Sequence, residues 1–597
     1  MKNKNIPAVI ALAALAAILY ANTFWNKFVY DDYQFIVKNE YIKSLNNIPL
    51  FFTSMKSFAA DGDFLIYRPL VTLSFAVDRL IWGESPYGYH LLNFLFHASS
   101  GILLYLVLNA VFGNILIAFM TAVLFLSSPL QTEAVTWISS RGNSMCAFFF
   151  LLSFLFFVRY RNFSEGRGNK YYTYCLIAYS ASLLIKETAA CLPLIMMAYD
   201  LYRNSFSLKG IDFKKPARIY IPTIMLTCIY ILIRFLVLGR MSQFSYWGGG
   251  IVPTLITMTA VIAEYIVMLF LPFYLNVDRL VKMSFSILSF NFIAPFIFLC
   301  LVIFYAVRIK KTSPGITFGI AWFFITLLPV SNIIPIQALI AERFLYLPSI
   351  GFFICLSFIL YGIIQENKRY RIPVIIMLAL VVVLYSARTI TRNLSWRDNF
   401  SLWNETVNSG KCSYTAYNNL ANYYFGQGNL EKAKELYLES LSINPRYEKA
   451  MSNLAYLYAS QNNLNDSERW LKILIETNPE HKLAYYYMGL IYSVKNEPEA
   501  AIENYERAAA LNPSFSPVFN NLGYIYSQKG IYDKAIENYR KALEIDPETI
   551  EAYNNLGYMY YLKKDFTGAR KYFENALKIN PGYEKAKQNL MLLNGKK

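Results

Sequence analysis

Five dipeptides, Asn444-Pro445, Asn478-Pro479, Asn512-Pro513, Asp546-Pro547 and Asn580-Pro581, recur at a fixed spacing of 34 residues. No other feature constrains the chain so tightly. Proline stops a helix because it has no N–H to donate and its ring clashes with the preceding turn. Other positions repeat in the same register. Leu420, Leu454, Met488, Leu522 and Leu556 are each followed by a small residue: Ala421, Ala455, Gly489, Gly523 and Gly557. Ala433, Ser467, Ala501, Ala535 and Ala569 form a second small set. Two antiparallel helices per unit, touching at their small residues, satisfy the pattern, and stacked hairpins bury a core that one unit lacks.

This is the tetratricopeptide (TPR) period. Five repeats occupy 414–583, and 584–597 serves as a capping helix. Such arrays hold extended peptides or partner helices in a concave groove. Tyr424, Tyr458, Tyr492, Tyr526 and Tyr560 share one repeat position and read as inter-helix core. The amide pairs Asn418-Asn419, Asn520-Asn521 and Asn554-Asn555 are the expected acceptor-docking residues, because an amide both donates and accepts without regard to a peptide's sequence.

The chain before about residue 387 is of another kind. Of 597 residues 56% are hydrophobic and only 16% charged, and nearly all the apolar surplus falls there, which excludes a single water-soluble globule. The wealth of Tyr, Phe, Ile and Leu excludes a disordered chain. Twelve apolar runs of spanning or near-spanning length centre on 6–24, 91–112, 114–128, 145–158, 171–185, 188–202, 219–238, 254–275, 286–307, 316–330, 345–364 and 373–387. The net charge of +17 comes largely from basic linkers between them, at 159–170, 203–218, 308–311 and 368–371. Linkers of that kind stay in the cytoplasm, so the charge is no argument for nucleic acid, and none is expected as a partner. The seven cysteines show no paired spacing, and with three histidines there is no dedicated metal cage.

With the N-terminus in the cytoplasm, the basic linkers fall on one side only if one run fails to cross. The segment 239–275 is the weakest, broken by Gly248-Gly249-Gly250, Pro253 and Pro272 and carrying Glu264, so a re-entrant or surface-lying stretch is expected there. The expected architecture is all-α: about eleven spans in 1–392 with an extracytoplasmic loop at 25–89, a linker at 393–413, and an extracytoplasmic TPR solenoid at 414–597.

Polar groups beside these spans are the candidate chemistry. Asp31 and Asp32 follow the first span directly; one carboxylate of such a pair can act as a general base, or the two can hold a divalent cation, and a helix cap or turn explains them equally well. His90, Asn93 and His97 lie on one helix face and can line a sugar or phosphate pocket or tie helices together. Glu133 and Glu342 are further pocket candidates. Arg68, Arg141, Lys186 and Arg343 are cations on loops assigned to the outside, where the positive-inside rule disfavours them. An outward site joining carboxylates to anion-binding groups suits a lipid-linked sugar phosphate, its tail between helices and its phosphate on Arg or Lys.

Taken together, Phe28-Val29-Tyr30-Asp31-Asp32, Tyr67-Arg68-Pro69-Leu70, His90-Leu91-Leu92-Asn93 with His97, Gln131-Thr132-Glu133-Ala134-Val135, Lys186-Glu187, the run from Glu342 to Ser349 and the C-terminal repeats resemble the transmembrane-and-TPR protein O-mannosyltransferases of the C-type glycosyltransferase superfamily. The resemblance implies transfer of mannose from a polyprenyl-phosphate carrier to Ser or Thr hydroxyls, with inversion at the anomeric carbon. It makes Asp31 the catalytic carboxylate and Asp32 the neighbour that helps hold acceptor or cation. Ser128-Pro129 stands where relatives often have His-Pro. The alternatives are a non-catalytic membrane scaffold presenting the TPR array, and a lipid-linked oligosaccharide or O-antigen ligase, for which the long loop lies too early in the chain.

Overall fold

A computed structural model of the protein describes residues 5–60, 66–163, 168–206, 214–410 and 412–594. It is all-helical; among the described residues the only strand-like pairing is one antiparallel bridge between Arg279 and Cys412. The chain divides into two units, Met1–Cys412 and Ser413–Lys597.

The first unit opens with α1 (Ile6–Tyr20), α2 (Ile48–Thr53), α3 (Pro69–Trp82), α4 (Pro86–Phe112) and α5 (Ile115–Ser127). Next come α6 (Thr132–Thr136), α7 (Gly142–Asn162), α8 (Asn169–Ile185), α9 (Leu192–Arg203) and α10 (Lys214–Leu238). It closes with α11 (Ile251–Phe270), α12 (Phe290–Ile309), α13 (Pro314–Leu327), α14 (Pro348–Glu366), α15 (Arg371–Ser395) and α16 (Asn399–Asn408). Among the described residues eight helices are long and apolar enough to cross a membrane, or nine if the bent pair Ile115–Ser127 and Pro129–Thr136 counts as one span. That is fewer than the eleven expected. The count of eleven leaves out the segment 239–275, yet its helix α11 is among the eight; the runs at 171–185, 188–202 and 316–330 drop out instead, because their helices α8, α9 and α13 have 17, 12 and 14 residues, at or below the shortest span that clears roughly 30 Å of hydrocarbon.

Helices α13 and α14 meet through glycine. A Cβ on Gly351 of α14 would lie 2.4 Å from the carbonyl oxygen of Gly319 in α13, so these two backbones meet where only glycine fits. The core around them is aromatic, with Trp322 packed edge-on against Phe150, Phe154 and Phe318.

The interrupted segment at 239–275 forms a continuous helix from Ile251 to Phe270. Both of its ends are tied to one loop. Trp247 Nε1 donates to the Ile336 carbonyl at 3.2 Å, while Tyr265 Oη accepts from Ala341 N at 3.1 Å.

The expected linker at 393–413 is not a loose tether. α15 continues to Ser395, and α16 is built into the first unit: Lys27 N donates to the Arg397 carbonyl at 2.8 Å and Tyr30 N to Asn399 Oδ1 at 2.9 Å.

The second unit consists of α17 (Tyr414–Gly426), α18 (Leu430–Ile443), α19 (Glu448–Ser460), α20 (Leu464–Thr477), α21 (Lys482–Val494) and α22 (Pro498–Leu511). It continues through α23 (Ser516–Gln528), α24 (Tyr532–Ile545), α25 (Ile550–Leu562), α26 (Phe566–Ile579) and α27 (Glu584–Asn594). These are five helical hairpins and a closing helix. The repeated glycines have a steric cause: a Cβ at Gly489, Gly523 or Gly557 would lie within 2.6–2.7 Å of the ring of Tyr505, Tyr539 or Phe573 on the partner helix.

Candidate functional site

Asp31 and Asp32 are adjacent in sequence and part company in the structure. Asp32 is fully buried. Its Oδ2 accepts from Val29 N at 3.0 Å and its Oδ1 from Ser139 N at 2.8 Å, and the Ser139 hydroxyl donates to Oδ1 as well. Burial outweighs these donors and pushes its carboxyl up to about 6. Asp32 thus fastens the first loop to the turn Ile138–Arg141. Asp31 is half-buried and lies within the electrostatic reach of Arg343.

The residue before it is held in an uncommon conformation. Tyr30 has φ 54°, a left-handed geometry that a bulky residue adopts only when its surroundings impose it. The surroundings here are Asn399 on its N–H and the rings of Trp403, 5.0 Å away, and Trp137, 5.6 Å away. The strain therefore sits at the residue immediately before Asp31.

Arg343 is the hub. Its backbone N–H donates to Glu133 Oε2 at 2.8 Å, and its Nη1 donates to Glu133 Oε1. Its guanidinium lies 5.4 Å from the Trp137 ring centre and 5.1 Å from that of Phe344. Burial alone would lower its affinity for its proton; Glu133, with Tyr30 and Asp31, more than reverses this.

Lys186 stands beside Arg343 in a narrow crevice lined also by Asn143, Thr188, Phe344 and Tyr346. Its Nζ donates to Asn143 Oδ1. Burial, the Arg68 guanidinium and Arg343 together push it down to about 7, against the pull of Glu187. Arg68 pairs with Glu187 at 2.8 Å. Although burial works against it, the Glu187 carboxyl is held at about 2 by Arg68 and Lys186. Two further cations, Arg68 and Arg343, thus both bear on Lys186 and repel it.

Arg141 does not join them. It is fully buried, with Asp78 at 2.6 Å, and it donates to Asn93 Oδ1 at 2.7 Å, Ser74 Oγ at 3.1 Å and the Tyr89 carbonyl at 3.0 Å. Its donors are committed to α3 and α4, so it leaves the set of candidate phosphate ligands and becomes a structural strut. The stripe on α4 is similarly engaged. Asn93 Nδ2 donates to the carbonyls of Val135, Trp137 and Ile138, His90 Nε2 donates to the Asn26 carbonyl at 3.2 Å, and His97 Nδ1 lies 2.7 Å from Tyr346 Oη. These three side chains tie helices together and do not line an open pocket.

Glu342 turns away from its neighbour Arg343: it is buried, accepts from Asn276 N and faces Arg392 at 3.6 Å. Burial raises its carboxyl, and Arg392 opposes the rise. The sequence reading assigned no role to Ser139, Asn399 or Arg392, and quoted Tyr30 and Asn143 only as members of motifs; of the first three, Ser139 adjoins the polar run Ser140-Arg141-Gly142-Asn143, which could have drawn attention. Among the described residues no group of three or more His, Cys, Asp or Glu is placed to hold a metal ion.

In the second unit the Asn pairs are partly used up between repeats. Asn418 and Asn554 are buried; Asn418 Oδ1 accepts from Asn453 at 3.0 Å and Asn554 Oδ1 from Asn589 at 2.9 Å. Asn419, Asn520, Asn521 and Asn555 remain half-exposed.

The first unit is a bundle rich in spanning-length helices with an ion-paired polar site at one loop cluster, and the second is a TPR solenoid. Models of the tetratricopeptide repeat match residues 414–447, 483–515 and 550–583. Over 485 residues the chain is 23% identical to human protein O-mannosyl-transferase TMTC3, covering 74% of this chain and 52% of that one. It is 25% identical over 504 residues to human protein O-mannosyl-transferase TMTC1, covering 74% and 56%. These curated relatives are glycosyltransferases by name, and the chain spans about half the length of the first of them. Among solved structures, the crystal structure of MamA protein shares 30% identity over 29% of this chain and 94% of that chain, with a TM-score of 0.26.

Proposed function

We propose that the protein is a membrane glycosyltransferase that moves mannose from a polyprenyl-phosphate carrier to Ser or Thr hydroxyls of proteins on the extracytoplasmic side, with the TPR unit docking the acceptor. One observation carries the reading: Asp31, half-buried and directly after a strained Tyr30, lies in the field of Arg343, which with Arg68 bears on Lys186. The names of the relatives supply the sugar.

In this mechanism the Asp31 carboxylate takes the proton of the acceptor hydroxyl as its oxygen attacks the anomeric carbon from the face opposite the phosphate. The bond from that carbon to the phosphate oxygen breaks, and polyprenyl phosphate leaves with the negative charge. Arg343 and Lys186 meet that charge; positioned cations are worth most where water is scarce. The carrier's tail takes the groove of about 550 Å³ between α11 and α12, lined by Val261, Val267, Val281 and Phe298. Tyr265 of α11, the helix that forms one wall of this groove, accepts from the N–H of Ala341, the residue before Glu342 and Arg343.

Purified protein in lipid nanodiscs, given radiolabelled polyprenyl-phosphate mannose or GDP-mannose with a Ser/Thr peptide, tests the donor class. Label passing to peptide from the lipid donor alone is expected. Transfer from the nucleotide sugar alone, or from neither, contradicts it.

A further inference from the structure

The first helices of the TPR hairpins are almost free of charge. Beyond their first two residues, α17, α19, α21, α23 and α25 contain no Asp, Glu, Lys or Arg among the described residues, whereas every second helix carries at least four. The first helices also pack on their counterparts one repeat along, α17 on α19, α23 on α25 and α25 on α27, more closely than the second helices do. The stack therefore curves with the first helices on its inside.

That inner face has a repeating chemistry. Asn453, Asn521 and Asn555 each precede a tyrosine by three residues, which puts amide and ring on one helix face. Those tyrosines, Tyr456, Tyr524 and Tyr558, are 53%, 50% and 42% exposed, although large apolar rings in a solenoid normally find cover. In the third repeat Tyr487 and Leu490 hold the same two positions. Neighbouring repeats touch along this face: the ring centres of Phe425 and Tyr456 are 5.6 Å apart and those of Tyr456 and Tyr487 6.3 Å, and Asn453 donates to both Asn418 and Asn422 at 3.0 Å.

We infer that this inner face binds extended, uncharged polypeptide segments, reading about three residues of the ligand per repeat. Neighbouring helices lie roughly 10 Å apart, and an extended chain covers that distance in about three residues at roughly 3.3 Å each. Amides bond the peptide backbone and tyrosine rings stack on small or apolar side chains. A charged ligand residue would lose water against first helices that, beyond their first two residues and among the described residues, offer no counter-charge. The inference rests on the proposed docking role and narrows it, since an acceptor segment rich in Ser, Thr, Gly and Pro fits where one rich in Asp, Glu, Lys or Arg does not.

The test is fluorescence anisotropy of the full-length protein in nanodiscs, empty nanodiscs as control, with fluorescein-labelled 15-residue peptides of Ser, Thr, Gly and Pro. Companion peptides carry Asp or Lys at every third position. The neutral peptide should bind at least tenfold tighter than either charged one, and the triple variant Tyr456→Ala, Tyr524→Ala, Tyr558→Ala should lose at least tenfold. The single variant Tyr524→Lys should gain at least fivefold for the Asp peptide, which no misfolded protein would show. Equal or tighter binding of charged peptides, no binding of the neutral one, or an unchanged preference in Tyr524→Lys overturns the inference. Because the readout is binding, an Asp31→Asn protein should score as wild type; peptide binding without any transfer would sink the enzyme reading and leave this one standing.

Discussion

Arg343 reaches Glu133, 210 residues away, through both its backbone N–H, at 2.8 Å, and its guanidinium. A carboxylate that accepts from main chain and side chain of one residue fixes where that residue's remaining donors point. Glu133 is fully buried, so the pair holds Arg343 beside Asp31 and Lys186 at the cost of a buried charge that, among the described residues, only Arg343 neutralises directly.

Glu133→Gln should therefore do two things. It should lower stability by about 3 kcal/mol, the usual scale for breaking a buried ion pair, and reduce transfer about a hundredfold by freeing Arg343. Thermal unfolding in detergent and initial rates check both. Unchanged rates would show that Arg343 needs no such brace.

Lys186 makes donor binding depend on pH. Burial, Arg68 and Arg343 lower its proton affinity to about 7, so it is cationic below neutrality and increasingly neutral above. A phosphate prefers the cationic form. Donor affinity should hold steady below pH 6.5 and fall above pH 7, by at most about tenfold per pH unit for one linked proton. In Lys186→Arg, whose guanidinium keeps its proton, the fall should vanish. Donor titrations from pH 6 to 8.5 decide this.

Asp32 makes stability depend on pH in the opposite way to a salt-bridged carboxylate. Its folded carboxyl is raised from 3.8 to about 6, so the folded state binds the proton more tightly than the unfolded chain does. Its contribution is present in full below about pH 4, is lost as pH rises through 6, and is flat beyond. The change is on the order of 3 kcal/mol. Melting curves of wild type and Asp32→Asn between pH 4 and 7 should differ in slope only in that window.

Arg141→Met should destabilise by about 3–5 kcal/mol, because it strands Asp78 as a buried unpaired charge. It should leave the donor KM of the folded fraction unchanged. A raised donor KM would return Arg141 to the phosphate site.

Much of the solenoid was legible because its signals are local: Pro445 and its equivalents end helices, and Gly523 is small because the ring of Tyr539 lies against it. The grouping of Asp31 with Arg343 and Glu133 was legible only as a set of motifs, since nothing within a few residues of each names the others. Arg141 was misread for a related reason. A cation outside a basic linker looks like a ligand-binding residue until Asp78 and Asn93, 63 and 48 positions away, are seen to enclose it. The tie between Tyr30 and α16 was invisible because their bond, from Tyr30 N to Asn399, joins positions 369 residues apart, and no periodicity carries that information. The short helices α8, α9 and α13 were counted as spans because hydropathy registers apolar content more readily than length.

The most direct measurement is the rate of mannose transfer from polyprenyl-phosphate mannose to a Ser/Thr peptide by wild type and by Asp31→Asn, with melting temperature and peptide binding recorded for both. Loss of a general base costs roughly a hundredfold to ten-thousandfold, so the variant should transfer at least a hundred times more slowly while folding and binding as the wild type does. Transfer by Asp31→Asn at the wild-type rate would contradict the assignment of the base and, with it, the mechanism.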